Sequence, residues 1–355
     1  GADVEIPEGA RMIDVAGRSV MPGIVEGHSH MGFKQLWTPT TGRNNNELSK
    51  PINAEVRTID GLNSDDIAFQ RAVAGGITTM VIITGSQSPN SGQAMVAKMR
   101  GGTVDDMFLA HGGMKFAFRE WEWEGFPQSS EENRELLGSE LQAAQAYLAA
   151  WARYRSGDAS GPPPARDLKL EALGKVVTRE WVAGAHAHSE EDMRIFVDLE
   201  KAFDLDLYII HGDACGALAE ELVAEGIPVS FGPVLPGTDR EHPELEGAVR
   251  FVNLGGLLSF QQDHPDGPQY YLRTAASLFV RKGMSEDEAL RALTINGAKI
   301  FRLEDRIGSL EVGKDADFVI LSGPPLDIES LVEQVFVEGR EVYNRATGFS
   351  VYRSR

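Results

Sequence analysis

The sequence predicts an α/β fold: a closed (β/α)8 TIM barrel carrying a small composite β-sandwich built from both chain ends. Three observations carry this reading. From about residue 19 to residue 301, short apolar runs alternate with amphipathic stretches, the pattern of a parallel sheet wound with helices. The chain's 355 residues suit one large barrel or two compact units. Before residue 20 and after about residue 306 the runs become short, Gly-punctuated and β-like, without a helix of any length between them.

Each element has a local reason. Residues 20–25, 77–84, 181–188, 205–211, 227–231 and 256–261 are apolar or β-branched and bounded by Gly, Pro or polar clusters, so they read as buried strands. Helix starts are marked by Ser189 with Asp192 and Ser285 with Glu288, both capping boxes, and by Ser64, which begins a helix that stops at Gly75-Gly76. Gly161-Pro162-Pro163-Pro164 joins two helical stretches as a loop. Domain boundaries follow: residues 21–301 form the barrel, and residues 1–20 with 302–355 form the small sandwich.

Composition narrows the function. Hydrophobic residues at 42% and charged residues at 25% are ordinary for an ordered globular chain. Thirty-four Lys plus Arg against 53 Asp plus Glu give a net charge of -19, which disfavours nucleic acid and anionic membrane as partners. No apolar run approaches the roughly 20 residues of a membrane span. Cys215 is the one cysteine, so an intramolecular disulfide and a Cys-rich zinc site are excluded. The chain opens Gly1-Ala2-Asp3-Val4 without an initiator Met and reads as beginning mid-sequence, with the cytoplasm as the default compartment.

The chemistry gathers at strand ends. His28 and His30 lie two apart at the end of the first barrel strand, so an extended backbone turns both imidazoles to one side. His186, His211 and Asp263 each close a later strand run, at the barrel face where active sites sit. Any one of these histidines alone is more often structural than a ligand. Together, imidazoles and a carboxylate suit Zn²⁺, with Mn²⁺ or Fe²⁺ also accommodated.

With these residues in view, the chain resembles the metal-dependent amidohydrolase superfamily. The match rests on Met21-Pro22-Gly23 followed by His28-x-His30, on His186, His211 and Asp263, and on the C-terminal Asp305-Arg306-Ile307-Gly308-Ser309-Leu310-Glu311-Val312-Gly313-Lys314-Asp315-Ala316-Asp317. Within it the chain is most similar to the imidazolonepropionase-related, dipeptidase-like branch. The resemblance covers residues 3 to about 345; relatives begin with further strands, so the small sandwich is expected to be incomplete.

The resemblance implies roles. His28 and His30 become first-strand metal ligands, His186 the fifth-strand ligand, His211 the sixth-strand ligand or a water-orienting group, and Asp263 the eighth-strand ligand and general base. His188 rivals His186, or faces substrate, or caps the helix after Ser189. Lys115 takes the position of the carboxylated lysine that bridges two metals in binuclear relatives, its bland alternative being a lysine that reaches solvent; one metal or two stays open. Arg119, in the aromatic run 116–126, is a candidate grip for a substrate carboxylate, against the plainer reading of a solvated side chain. Relatives usually carry a Gly-Glu-Asn-Pro-like stretch here, from which this sequence departs. The Asn-rich loop 38–59 reads as a lid or a surface loop.

The reaction implied is hydrolysis of a C–N bond in a cyclic amide, an N-acyl amino acid or a dipeptide-like compound, by a metal-activated water with Asp263 taking the proton. Rivals are a deaminase of a heterocycle, which in this superfamily uses an acid after the fifth-strand histidine (Glu190 and Glu191 are the nearest), and a non-catalytic scaffold. A Ser-His-Asp mechanism is weaker, since no Gly-x-Ser-x-Gly elbow appears. The expected partners are a small-molecule substrate and, as in many relatives, a further copy of the chain.

Overall fold

Two sheets organise the chain in a computed structural model that describes residues 6–34, 44–118, 123–235 and 243–352. β1 (Ser19–Pro22) leads into β2 (Ile24–Ser29), β3 (Ile77–Ile82), β4 (Asn90–Lys98), β5 (Phe108–Ala117), β6 (Ala183–Ala187), β7 (Leu207–His211), β8 (Val229–Phe231) and β9 (Leu258–Phe260). β2 to β9 form one eight-stranded sheet in sequence order, curled into a nearly closed barrel. The runs 77–84, 181–188, 205–211, 227–231 and 256–261 each hold one strand a few residues shorter, whereas the run 20–25 is split between β1 of the terminal sheet and β2 of the barrel, which extends to Ser29.

The all-parallel expectation needs correction, because β4 runs antiparallel to both β3 and β5. Only residues 83–89 separate β3 from β4, far fewer than the dozen or more that a parallel crossover needs, so the chain must return as a hairpin. β4 begins Asn-Ser-Gly-Gln, and this polar start hides a fully buried strand from an apolar-run search.

Alternation along the strands sorts side chains to two faces. Met80, Ile82, Met95, Ala97, Leu207 and Ile209 belong to the large core beneath the helices. Val81, Ile83, Ala94, Val96, Tyr208 and Ile210 join Ile300 and Phe301 in a second cluster, the barrel's inner filling. The helix Ile67–Ala74 is capped by Asp66, which accepts from Ala68 N, and not by Ser64; Ser285 forms the expected capping box with Glu288, while Ser189 caps by accepting from the Asp192 N–H alone.

The chain ends meet, as expected, in a five-stranded antiparallel sheet where β1 pairs β10 (Phe318–Leu321), followed by β11 (Val332–Val337), β12 (Arg340–Asn344) and β13 (Gly348–Phe349). Among the described residues it is a single layer and not a sandwich. Its apolar residues Val319, Val335, Val337 and Val342 belong to the large core, and the helix Ile67–Ala74 packs on β11 and β12, so a helix covers the face that a second sheet would otherwise cover. No helix among the described residues is long and apolar enough to cross a membrane.

One ion cluster fastens the two sheets. Lys98, the last residue of β4, is fully buried and donates to Asp315 at 2.6 Å and Asp317 at 2.5 Å; Asp317 also accepts the Glu338 backbone N–H. Burial pushes the Asp317 carboxyl up while Lys98 draws it down. Lys98→Met strands these carboxylates and is expected to cost roughly 3–5 kcal/mol, read as a lower urea midpoint; a loss below about 1 kcal/mol would show the clasp to be dispensable.

Candidate metal centre

The strand geometry explains how the candidate residues converge. Lys115 lies between Met114 and Phe116, which pack in the large core, and His186 lies between Ala185 and Ala187, which do the same. Alternation therefore turns Lys115 and His186 to the inner face. His211 follows the inward Ile210 and by strict alternation would face outward. Its φ of 74° breaks the alternation, and Asp263 does the same with φ 48°. Non-glycine residues rarely adopt this region, at a cost of order 1 kcal/mol, and the strain here falls on two residues of the site.

The side chains meet in one buried cluster. Asp263 Oδ1 is 3.3 Å from His28 Nε2 and 3.2 Å from His30 Nε2, and Asp263 Oδ2 is 3.9 Å from His211 Nε2. The His28 and His30 ring centres are 4.9 Å apart, those of His186 and His211 4.5 Å. Donor atoms of His28, His211 and Asp263 lie within 4.8 Å of one another, as do those of His186, His188 and His211. His28, His30, His186, His188, His211 and Asp263 are thus brought to one mouth of the barrel, whereas Glu190 and Glu191 lie in the first turn of the helix Glu190–Phe203. Arg119 lies outside the described residues.

Hydrogen bonding fixes which nitrogen faces inward. His30 Nδ1 bonds the Ile83 carbonyl and His211 Nδ1 the Gly232 carbonyl, each at 2.7 Å. A carbonyl only accepts, so each Nδ1 carries the proton and each Nε2 presents a lone pair. Burial drives the imidazole pKa down, to about 3 for His30 and about 4 for His211, and well below the ordinary value for His28 and His186. Burial alone would raise Asp263, but the surrounding imidazoles hold it well below the usual carboxylate range. With its Nδ1 proton spent on the Ile83 carbonyl, a neutral His30 ring turns its Nε2 lone pair toward an Asp263 oxygen 3.2 Å away. His28 Nε2 and Nδ1, His186 Nδ1, His211 Nε2, Asp263 Oδ1 and Lys115 Nζ are all buried without a hydrogen-bond partner. Such a donor set fits a divalent cation of the zinc type. Burial also lowers the Lys115 amine to about 7.

Supporting residues escaped the sequence reading. Glu26 is completely buried, and its Oε1 accepts the Gln262 N–H at 3.1 Å, fixing the residue before Asp263. Burial pushes this carboxyl up to about 8, and a lone acid in an apolar strand was the available signal. Asp213 holds His188 Nδ1 at 2.8 Å, and the His188 ring stacks on His211 with centres 4.3 Å apart; Ser189, not His188, caps the helix. His264 bonds the Lys34 carbonyl and Gln269, each at 3.0 Å. A cavity of about 710 Å³ opens over the cluster, lined among others by Lys34, Asn45, Phe118 and His188. Asn45 thus brings part of the Asn-rich loop to the site, while residues 38–43 lie outside the described residues.

Comparison with known proteins finds relatives over most of the chain. The amidohydrolase family matches residues 270–343. The crystal structure of an amidohydrolase from Thermotoga maritima MSB8 superimposes with a TM-score of 0.89 at 31% identity, over 97% of this chain and 92% of that one. The amidohydrolase tasK of Hapsidospora irregularis is 25% identical over 371 residues, covering 94% of this chain; the chain spans 37% of that protein's length. The imidazolonepropionase of Symbiobacterium thermophilum is 27% identical over 369 residues, covering 90% of this chain and 79% of that protein.

Zinc retention checks the cluster directly. The wild-type chain is expected to hold zinc against a competing chelator, and His28→Ala to lower that affinity about a hundredfold, a fair share of the binding energy of a structural zinc site. Glu26→Ala should cost about tenfold or more by loosening Asp263, with Glu26→Gln retaining most of the affinity because its carbonyl still accepts from Gln262. Equal affinity in all four proteins would remove the cluster as a metal centre.

Proposed function

The chain belongs to the amidohydrolase superfamily, and from that premise we propose that it hydrolyses the C–N bond of a small cyclic amide, N-acyl amino acid or dipeptide-like compound. The observation that carries this is the buried carboxylate set against imidazole lone pairs at the barrel mouth, under a cavity of substrate size. His28, His30, His186, His211 and Asp263 would hold the metal, zinc by donor type, with Mn²⁺ or Fe²⁺ as alternatives. A divalent cation held there supplies a Lewis acid and lowers the pKa of a water in contact with it.

The chain's own residues account for the proton traffic. Asp263 takes the proton of the attacking water as the oxygen adds to the amide carbon, then returns it to the nitrogen as the C–N bond breaks. The carbonyl locks on His30 and His211 keep those rings from turning during the cycle. His188, braced by Asp213 and 42% exposed in its side chain, faces the cavity as a contact for substrate. Lys115 is buried with an unpartnered amine lowered to about 7, which suits attack on CO₂: the N–C bond would form as a proton leaves, and the resulting carbamate would offer oxygen donors to a second divalent cation. We assign the chemistry to the barrel, residues 21–301, and a supporting role to the terminal unit, residues 1–20 and 302–355.

The deaminase reading is weaker. Glu190 and Glu191 sit in the exposed first turn of the helix Glu190–Phe203, and Glu190 pairs with Arg194 at 2.8 Å, so neither is poised over the cavity. The scaffold reading lacks a motive, because the donor set is present, with His28 Nε2, His211 Nε2 and Asp263 Oδ1 buried without a hydrogen-bond partner.

A screen of metal-loaded protein against N-acyl amino acids, dipeptides and imidazolones, read by both carboxylate and ammonia release, tests the proposal. Turnover is expected with carboxylate release, and Asp263→Asn should lower kcat by about a thousandfold, the scale of a lost general base. Ammonia released from a heterocycle would favour the deaminase, and full activity in Asp263→Asn would overturn the assignment of the base.

A further inference from the structure

The cavity over the cluster is lined by three carboxylates, Asp192, Asp263 and Asp266, and by one lysine or arginine among the described residues, Lys34. In a chain of net charge -19 an ammonium at the catalytic mouth would ordinarily find an acid. Lys34 makes no side-chain hydrogen bond and no ion pair among the described residues, whereas the buried Lys98 has two carboxylates and the surface Lys201 has Glu221 and Glu225.

Its backbone is fixed from both sides. The Lys34 N–H donates to the His30 carbonyl at 3.1 Å, and the Lys34 carbonyl lies 3.0 Å from His264 Nε2, so the residue is tied to the segments that carry His30 and Asp263. Its charge is near enough to press on the His30 imidazole and the Lys115 amine. A second donor lines the same cavity. Asn45 is only 4% exposed, its Nδ2 is buried without a partner, and its carbonyl is anchored by the Gly85 N–H. Its amide lies across Gly85, where a Cβ would stand 2.4 Å from Nδ2. A buried amide donor without an acceptor is costly unless a ligand supplies one.

We propose that Lys34 and Asn45 form an anion subsite beside the metal centre and that the substrate carries a carboxylate close to its scissile amide. Lys34 is one turn of chain from His30, so a carboxylate on it lies next to the reacting bond and not at the far end of a long substrate. The inference rests on the C–N hydrolase reading and narrows it to N-acyl amino acids and the C-terminal residue of dipeptides, setting aside neutral cyclic amides. Specificity then comes from an otherwise unpaired donor pair, which discriminates strongly because an uncharged analogue leaves it unsatisfied.

Binding of an inert probe tests this apart from turnover. N-Methanesulfonyl-L-alanine carries the carboxylate but no hydrolysable amide; its primary carboxamide lacks only the charge. By calorimetry on zinc-loaded protein, the acid is expected to bind at least about tenfold more tightly than the carboxamide, the usual scale for a charge-assisted hydrogen bond. Lys34→Met should abolish that preference, Lys34→Arg should keep it, and Asn45→Ala should reduce it in part. Equal affinity of wild type for both probes, binding of neither, or an undiminished preference in Lys34→Met would each overturn the subsite. The turnover screen judges the hydrolase reading by itself, so an inactive protein that still prefers the acid would refute that reading and keep the subsite.

Discussion

A buried carboxylate facing imidazole lone pairs is the constraint on which the rest of this structure depends. Two acceptors 3.2 Å apart in a low-dielectric interior repel each other, and the usual relief, a proton on the ring, is opposed by the burial that drives the His30 pKa to about 3. The fold nevertheless pins the arrangement. Carbonyls of Ile83 and Gly232 fix two rings, positive φ angles turn His211 and Asp263 inward, and Glu26 holds the residue before Asp263. Each device costs stability or uses a hydrogen bond that could have gone elsewhere, a cost that a bound cation would offset.

The same residues lie where the barrel is weakest. β2 and β9 are the two edges of the eight-stranded sheet, and no ladder of paired residues joins them. Across this seam run the Glu26 to Gln262 hydrogen bond, the His264 to Lys34 contact and both short approaches of Asp263 to His28 and His30. Gly27 belongs to the same closure, since a Cβ there would stand 2.3 Å from Ser230 Oγ. A cation bound by His28, His30 and Asp263 would therefore close the barrel as well as serve its chemistry. Metal affinity and barrel stability are then coupled, with binding to the folded form alone adding to stability by mass action.

Much of this was legible in the sequence because the signals were local. A His-x-His at a strand end, histidines after apolar runs, and serine caps with acids three residues on depend on neighbours in the chain, and the structure has them where the pattern put them, apart from the helix that Asp66 caps in place of Ser64. What escaped depends on partners far away or on polar camouflage. β4 was missed because Asn90, Ser91 and Gln93 look like a loop yet are buried in the sheet. The antiparallel hairpin follows from a connection length that could have been measured only once β4 was known. The sandwich was over-read from β-like runs, because the run pattern does not reveal that the cover on their apolar face is the helix Ile67–Ala74. Lys34 sits in a segment with no periodicity at all, and it is placed at the cavity by contacts that include an imidazole 230 positions on.

Lys98 and Lys115 show how far environment governs chemistry. They lie on adjacent strands, both completely buried, and residue type alone cannot distinguish them. Lys98 meets two carboxylates from a segment more than 200 positions away and becomes a fastener between sheets. Lys115 meets imidazoles and no hydrogen-bond partner, and burial brings its amine down to about 7. An amine at that value is neutral for much of the time near neutral pH, with its lone pair available, whereas the Lys98 Nζ is taken up by hydrogen bonds to two carboxylates. Paired carboxylates turn one buried lysine into structure; their absence leaves the other free for reaction, so the C-terminal Asp315-Ala316-Asp317 segment secures the barrel through Lys98 without quenching the lysine on which the metal chemistry would draw.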